Sequence, residues 1–170
     1  METELEKVLM TFYKDVMIDF IYSKPEVFEE LLDLSIANKQ PYSWRAAWLL
    51  GSCIEKNDSR LQNYISKIIK ALPSKKDGHQ RELIKILSVM ELTEEQEGYF
   101  FDICLTIWQS IEKQSSVRYT AFISILKITE KYPELLGEIL FLTEKHYLDT
   151  LSPGIKNSIF KNIKKYQNKI

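Results

Sequence analysis

The sequence predicts an all-α fold, a short α-solenoid (α-α superhelix) of about four stacked helix pairs behind an N-terminal capping helix. Three observations predict it. Apolar residues recur at steps of three and four through long stretches, the stripe of an amphipathic helix. Only 5 Gly and 5 Pro punctuate 170 residues, too few for the turns of a β-sandwich or barrel. A cation recurs at Arg45, Arg81, Arg118 and Lys156, at spacings of 36, 37 and 38 residues, the mark of a repeated unit.

The elements follow in order. Over 1–22, Leu5, Val8, Leu9, Phe12, Val16, Phe20 and Ile21 fall on one stripe, which predicts a single capping helix. Ser23-Lys24-Pro25 opens the next helix, 24–37, with Ser23 as N-cap and Pro25 in the first turn, where its missing N–H costs nothing. Asn38-Lys39-Gln40-Pro41 ends it. Trp44, Ala47, Trp48, Leu50 and Ile54 then mark a helix that stops at Asn57-Asp58 and completes a pair over 24–56.

The second pair, 58–91, has a run near 59–72 ended by Pro73-Ser74 and another over 79–91. The third, 93–132, opens on Thr93-Glu94-Glu95-Gln96, a capping box in which two side chains satisfy each other's orphan backbone donors. Gln114-Ser115-Ser116 opens its second helix. The fourth, 133–168, begins at Pro133 with a helix to 148 and ends on a helix opened by Leu151-Ser152-Pro153. One domain over 1–170, with nine helices, is the expected organisation. Three residues beyond the repeated cations stand Trp48, Ile84, Ala121 and Ile159; four beyond stand Leu49, Lys85, Phe122 and Phe160. The apolar pair therefore travels with the cation.

Composition sets bounds. Hydrophobic residues make up 45% and charged residues 28%, enough apolar surface to offset the entropy of ordering. The net charge is −1, so no global positive field draws the chain to nucleic acid or to an anionic membrane. Cys53 and Cys104 lie far apart in apolar helical runs and read as free core thiols. Glu2, Glu4 and Glu6 stand where a signal peptide needs basic residues, and no apolar run approaches the length of a membrane span, so a cytoplasmic location without membrane contact is expected.

The segment Ser43-Trp44-Arg45-Ala46-Ala47-Trp48-Leu49-Leu50, and its weaker echo Ser116-Val117-Arg118-Tyr119-Thr120-Ala121-Phe122, resembles the second helix of HEAT repeats, with an Arg shortly before a small residue and then large aliphatics. The resemblance covers most of the chain and implies a HEAT/armadillo-like helical repeat. Such repeats typically carry an Asp six positions before that Arg, from which an Asp–Arg ladder between repeats is built. Here those positions hold Lys39, Lys75, Glu112 and Thr150, so the usual ladder is not expected. The layout is also similar to that of short bacterial helical-repeat proteins, some of which bear an adenylosuccinate lyase name. The Ser-rich loop of such lyases has a Met-Pro-x-Lys-x-Asn core; the nearest string here, Leu72-Pro73-Ser74-Lys75-Lys76, lacks that pattern, and lyase activity is not expected.

No catalytic set emerges from the sequence. His79 and His146 have no ligand partner at helical spacing, which excludes a zinc motif, and His79 reads as a solvated helix-terminal residue. No glycine-rich phosphate loop occurs, and Gly51-Ser52-Cys53 is not a nucleophile elbow. The carboxylates Glu29, Glu30 and Asp33, and Glu94, Glu95 and Glu97, read as solvated helix faces, and Tyr99, Phe100, Phe101 and Trp108 as core. No enzyme activity, metal or cofactor is expected.

Three features remain as an interaction surface. Arg45, Arg81, Arg118 and Lys156 fall at equivalent repeat positions and form a cation column, to grip phosphates or carboxylates or to bond neighbouring loop carbonyls. Tyr42, Trp44 and Trp48 lie beside Arg45, with the two indoles one helical turn apart, as core or as a hot spot. Residues 2–33 hold nine acids against three lysines, while Lys156, Lys161, Lys164, Lys165 and Lys169 close the chain without an acid among them. The expected function is a non-enzymatic module for a protein or peptide partner. The alternative is a nucleic-acid-binding helical repeat that uses the cation column on a concave face.

Overall fold

The structure, a computed structural model, describes residues 2–168. Among these residues every regular element is helical, in agreement with the all-α class. The chain divides into two compact units, Met1–Leu92 and Thr93–Ile170. The division falls between the second and third predicted helix pairs.

The first unit contains α1 (Glu4–Thr11), α2 (Lys14–Ser23), α3 (Phe28–Ile36), α4 (Tyr42–Cys53), α5 (Ile65–Ala71) and α6 (Asp77–Ser88), with 3-10 turns at Pro25–Val27, Ser59–Tyr64 and Leu72–Ser74. Helix α4 is its hub and packs on α1, α2, α3 and α6. Its Ala46, Ala47, Leu49, Leu50 and Cys53 are buried, and the two alanines leave room for close helix approach. Burial pushes the Cys53 thiol up to about 11, so it stays protonated and unreactive at neutral pH.

The single capping helix expected over 1–22 is two helices. Phe12 and Tyr13 take extended backbone, and α2 restarts at Lys14. The restart turns Met17 and Ile21 into the core in place of Phe12 and Val16, which are left 46% exposed. Aromatic and β-branched residues at Thr11-Phe12-Tyr13 hold a helix weakly, and Arg45 secures the break by taking the carbonyl of Leu9. Ser23 does not act as the expected N-cap. It ends α2 and donates its hydroxyl to the Phe20 carbonyl at 3.0 Å, while Pro25 opens a 3-10 turn ahead of α3.

His79 is a second correction. It is 1% exposed, not solvated: Nε2–H donates to the Ser35 carbonyl at 2.7 Å, and Nδ1 accepts from the Gln40 amide at 3.2 Å. Only the neutral ring satisfies both bonds. Burial, with Lys75 nearby, holds its pKa below the ordinary value. A depressed folded-state pKa stabilises the fold above the ordinary imidazole value of about 6.5 and withdraws that stabilisation as pH falls through the folded-state value. Thermal unfolding is therefore expected to drop in temperature on acidification through and below that range. The drop should be smaller in His79→Gln.

The second unit contains α7 (Glu94–Gln109), α8 (Ser115–Thr129), α9 (Leu136–Phe141), α10 (Lys145–Leu148) and α11 (Pro153–Gln167), with a 3-10 turn at Pro133–Leu135. Helix α8 is central and packs on α7, α9 and α11. The capping box at Thr93 is formed, with Gln96 N–H on Thr93 Oγ1 at 3.3 Å and Thr93 N–H on Gln96 Oε1 at 3.0 Å. Ser152 caps α11 by accepting from Ile155 N–H at 3.3 Å. The helix expected over 133–148 is instead broken at Leu142-Thr143-Glu144, where the Thr143 hydroxyl bonds the Leu140 carbonyl and the Trp108 indole takes that of Leu142. The chain thus holds eleven α-helices among its described residues, where nine were expected.

Two further sequence readings change in this unit. Glu97 is buried and paired with Lys131, not part of a solvated acidic face. Of the aromatic group, Phe100 and Trp108 are core, whereas Tyr99 is 60% exposed. Cys104 is buried among apolar side chains, which pushes its thiol pKa up.

Candidate functional site

The four cations of the repeat register have distinct surroundings. Arg118, from the first turn of α8, is fully buried. Its Nε donates to the Trp108 carbonyl at 3.0 Å, Nη2 to the Tyr147 carbonyl at 2.6 Å and Nη1 to the Thr150 hydroxyl at 2.8 Å. The guanidinium also lies 4.9 Å from the centre of the Trp108 ring. Trp108 stands in the last turn of α7, whose carbonyls have no partner within the helix, so Arg118 acts as a C-terminal cap. Arg45 repeats this arrangement: half-buried on α4, it bonds the Leu9 carbonyl in the last turn of α1. A positive group at that end also meets the negative pole of the helix dipole.

Arg81 is turned to a carboxylate, with Nε and Nη2 on Glu82 Oε1 at 3.0 and 2.9 Å. Lys156 is half-buried on α11. The residues at the ladder positions are equally informative. Thr150 accepts from Arg118, so one rung is built with a hydroxyl where the carboxylate was missing. Lys75, 7% exposed, gives its ammonium to the carbonyls of Ile36 and Ala37 and to Asn38 Oδ1, capping α3. Lys39 pairs with Glu6, itself the capping-box partner of Thr3, and this pairing lowers the Glu6 pKa.

The aromatic group beside Arg45 is divided between structure and surface. The Tyr42 hydroxyl donates to Glu2 at 2.7 Å, and that carboxylate raises the phenol pKa. Trp44 lies over the start of α6, so close that a Cβ on Gly78 would stand 3.3 Å from the indole nitrogen. Trp48, one turn along on α4, is half-buried and carries Lys14 Nζ 5.5 Å from its ring centre.

Trp48 forms a wall of a groove of about 320 Å³ among α2, α4 and α6. The apolar lining is completed by Ile54, Ile86 and Val89. Lys14, Lys56 and Lys85 stand around it with Glu55 and Glu82, and Glu82 is already engaged by Arg81 at 2.9 Å and Lys85 at 3.2 Å. Sequence reasoning reached Trp48 through its spacing from Trp44. It missed the three lysines, which come from separate elements. A second groove of about 320 Å³ lies in the other unit between α7 and α8, lined by Phe101, Tyr132, Ile128 and the carboxylates Glu94, Glu97 and Asp102.

Charge asymmetry places no further group at either groove, and Lys169 lies outside the described residues. Among the described residues no helix is long and apolar enough to cross a membrane, and no cluster of His, Cys, Asp or Glu is arranged to hold a metal.

Comparison with known proteins gives one family. The model of the HEAT repeat domain matches residues 1–166. Neither the curated proteins nor the solved structures include a match. With nearly its whole length matched, the chain belongs to the HEAT repeat family.

Proposed function

We propose that the chain is a non-enzymatic interaction module and that the groove beside Trp48 receives a peptide segment of a protein partner. HEAT repeat domains generally mediate protein interactions, and the family is typically a scaffold without catalysis. The observation that carries the reading is the groove: an indole, three aliphatic side chains and an exposed lysine rim form a concave site of mixed apolar and polar lining. The cation column supports a nucleic-acid partner less well. Arg118 is enclosed on backbone carbonyls and Arg45 is committed to one, so neither presents its charge to a phosphate backbone.

Panning a random-sequence peptide library on the whole chain tests the reading. Enriched peptides are expected to bind Trp48→Ala about tenfold more weakly than the native chain, the loss typical of a truncated aromatic hot spot. A library that yields no binder sensitive to Trp48 or to the groove lysines contradicts it.

A further inference from the structure

We infer that the groove beside Trp48 selects an acidic peptide segment carrying one apolar anchor residue. This rests on the reading of the groove as a peptide site and adds the chemistry of its occupant. The argument is charge complementarity around a short apolar floor. Lys14 enters from the first turn of α2, Lys56 from the loop after α4 and Lys85 from α6, each exposed. Against them stand Glu55 and Glu82. Glu82 is buried and shared by Arg81 and Lys85, so its charge is spent inside the wall. Lys14 has an indole face beneath it and Lys56 projects to solvent. The rim therefore carries a surplus of positive charge although the whole chain carries −1.

The floor decides the shape of the ligand. Trp48, Ile54 and Val89, over the buried Ile86, offer apolar contact for one aliphatic side chain, and the rim lysines then meet carboxylates on the flanking residues of an extended segment. A nucleic-acid strand fits less well, because the apolar floor offers its phosphates nothing and the exposed Glu55 repels a continuous polyanion.

The test uses the whole chain and three fluorescent probes: a Glu/Asp-rich peptide with a single central Leu, the same peptide with Lys at every acidic position, and oligothymidylate. The acidic probe is expected to bind most tightly, with an affinity that falls as salt is raised. The double charge reversal Lys14→Glu with Lys56→Glu should weaken it about tenfold or more and improve binding of the lysine probe. Lys70→Glu, an exposed reversal on α5 away from the groove, should leave it unchanged. Circular dichroism of each variant verifies the fold. Three results overturn the inference: equal or tighter binding of the lysine probe by the native chain, tighter binding of oligothymidylate, or indifference of the acidic probe to the double reversal. Library peptides that depend on Trp48 but lack acidic character remove the acidic preference and leave the peptide site standing. A library with no groove-dependent binder removes the site itself.

Discussion

Arg118→Ala is expected to cost the Thr93–Ile170 unit about 3 kcal/mol of stability, far more than the loss of a surface cation. The guanidinium is fully buried and its donors reach α7 through Trp108, α10 through Tyr147, and Thr150. Truncation removes charge-assisted bonds worth about 1.5–3 kcal/mol each, and leaves the Trp108 carbonyl buried without them. Part of the loss is offset because a charge no longer has to be desolvated. Arg118→Lys should recover only part of the stability, since an ammonium lacks the planar fork that serves three acceptors at once. Urea unfolding followed by helix circular dichroism measures both variants. A loss below about 0.5 kcal/mol, the usual scale of surface substitutions, contradicts the cap.

Trp108→Ala is expected to cost about 3–5 kcal/mol, the range for deleting a buried aromatic side chain. Trp108 is fully buried, its ring centre 4.4 Å from that of Phe122, and its indole N–H donates to the Leu142 carbonyl at 2.9 Å. The substitution therefore opens a cavity and also frees the end of α9. Hydrogen exchange should show α9 and α10 losing protection first, because these short helices depend on bonds from Trp108 and Arg118. The two substitutions touch one network, so the double variant should lose less than the sum of the singles.

How far these features were legible in the sequence depends on whether their cause is local. The helical class, the Thr93 capping box and the opening of the last helix at Leu151-Ser152-Pro153 rest on periodicity and near-neighbour chemistry, and the structure contains all of them. The break at Phe12-Tyr13 has no Gly or Pro to mark it; a distant residue, Arg45, holds the freed carbonyl. The same holds for His79, whose partners Ser35 and Gln40 lie about forty positions away, and for the rim lysines, which only the packing of α2, α4 and α6 brings together. The register of cations was visible as a spacing. Their role was not, because a spacing does not show whether a guanidinium faces water or the end of a neighbouring helix.

The missing ladder aspartates are explained in the same terms. A hydroxyl at Thr150 serves Arg118, and a lysine at position 75 satisfies three acceptors at the end of α3 on its own. In this chain Arg118, Arg45 and Lys75 close helix ends, whereas Lys14 and Lys56 stand exposed beside Trp48. The arginine Nε–H groups test that division most directly, since the sequence holds just Arg45, Arg60, Arg81 and Arg118. In a heteronuclear exchange spectrum, Arg118 Nε–H, on a fully buried guanidinium, should exchange with water slowest of the four, because Arg60 Nε–H, bonded to Asp58 at 2.9 Å, and Arg81 Nε–H, bonded to Glu82 at 3.0 Å, lie on partly exposed side chains. Exchange of Arg118 as rapid as that of Arg60 would contradict the account.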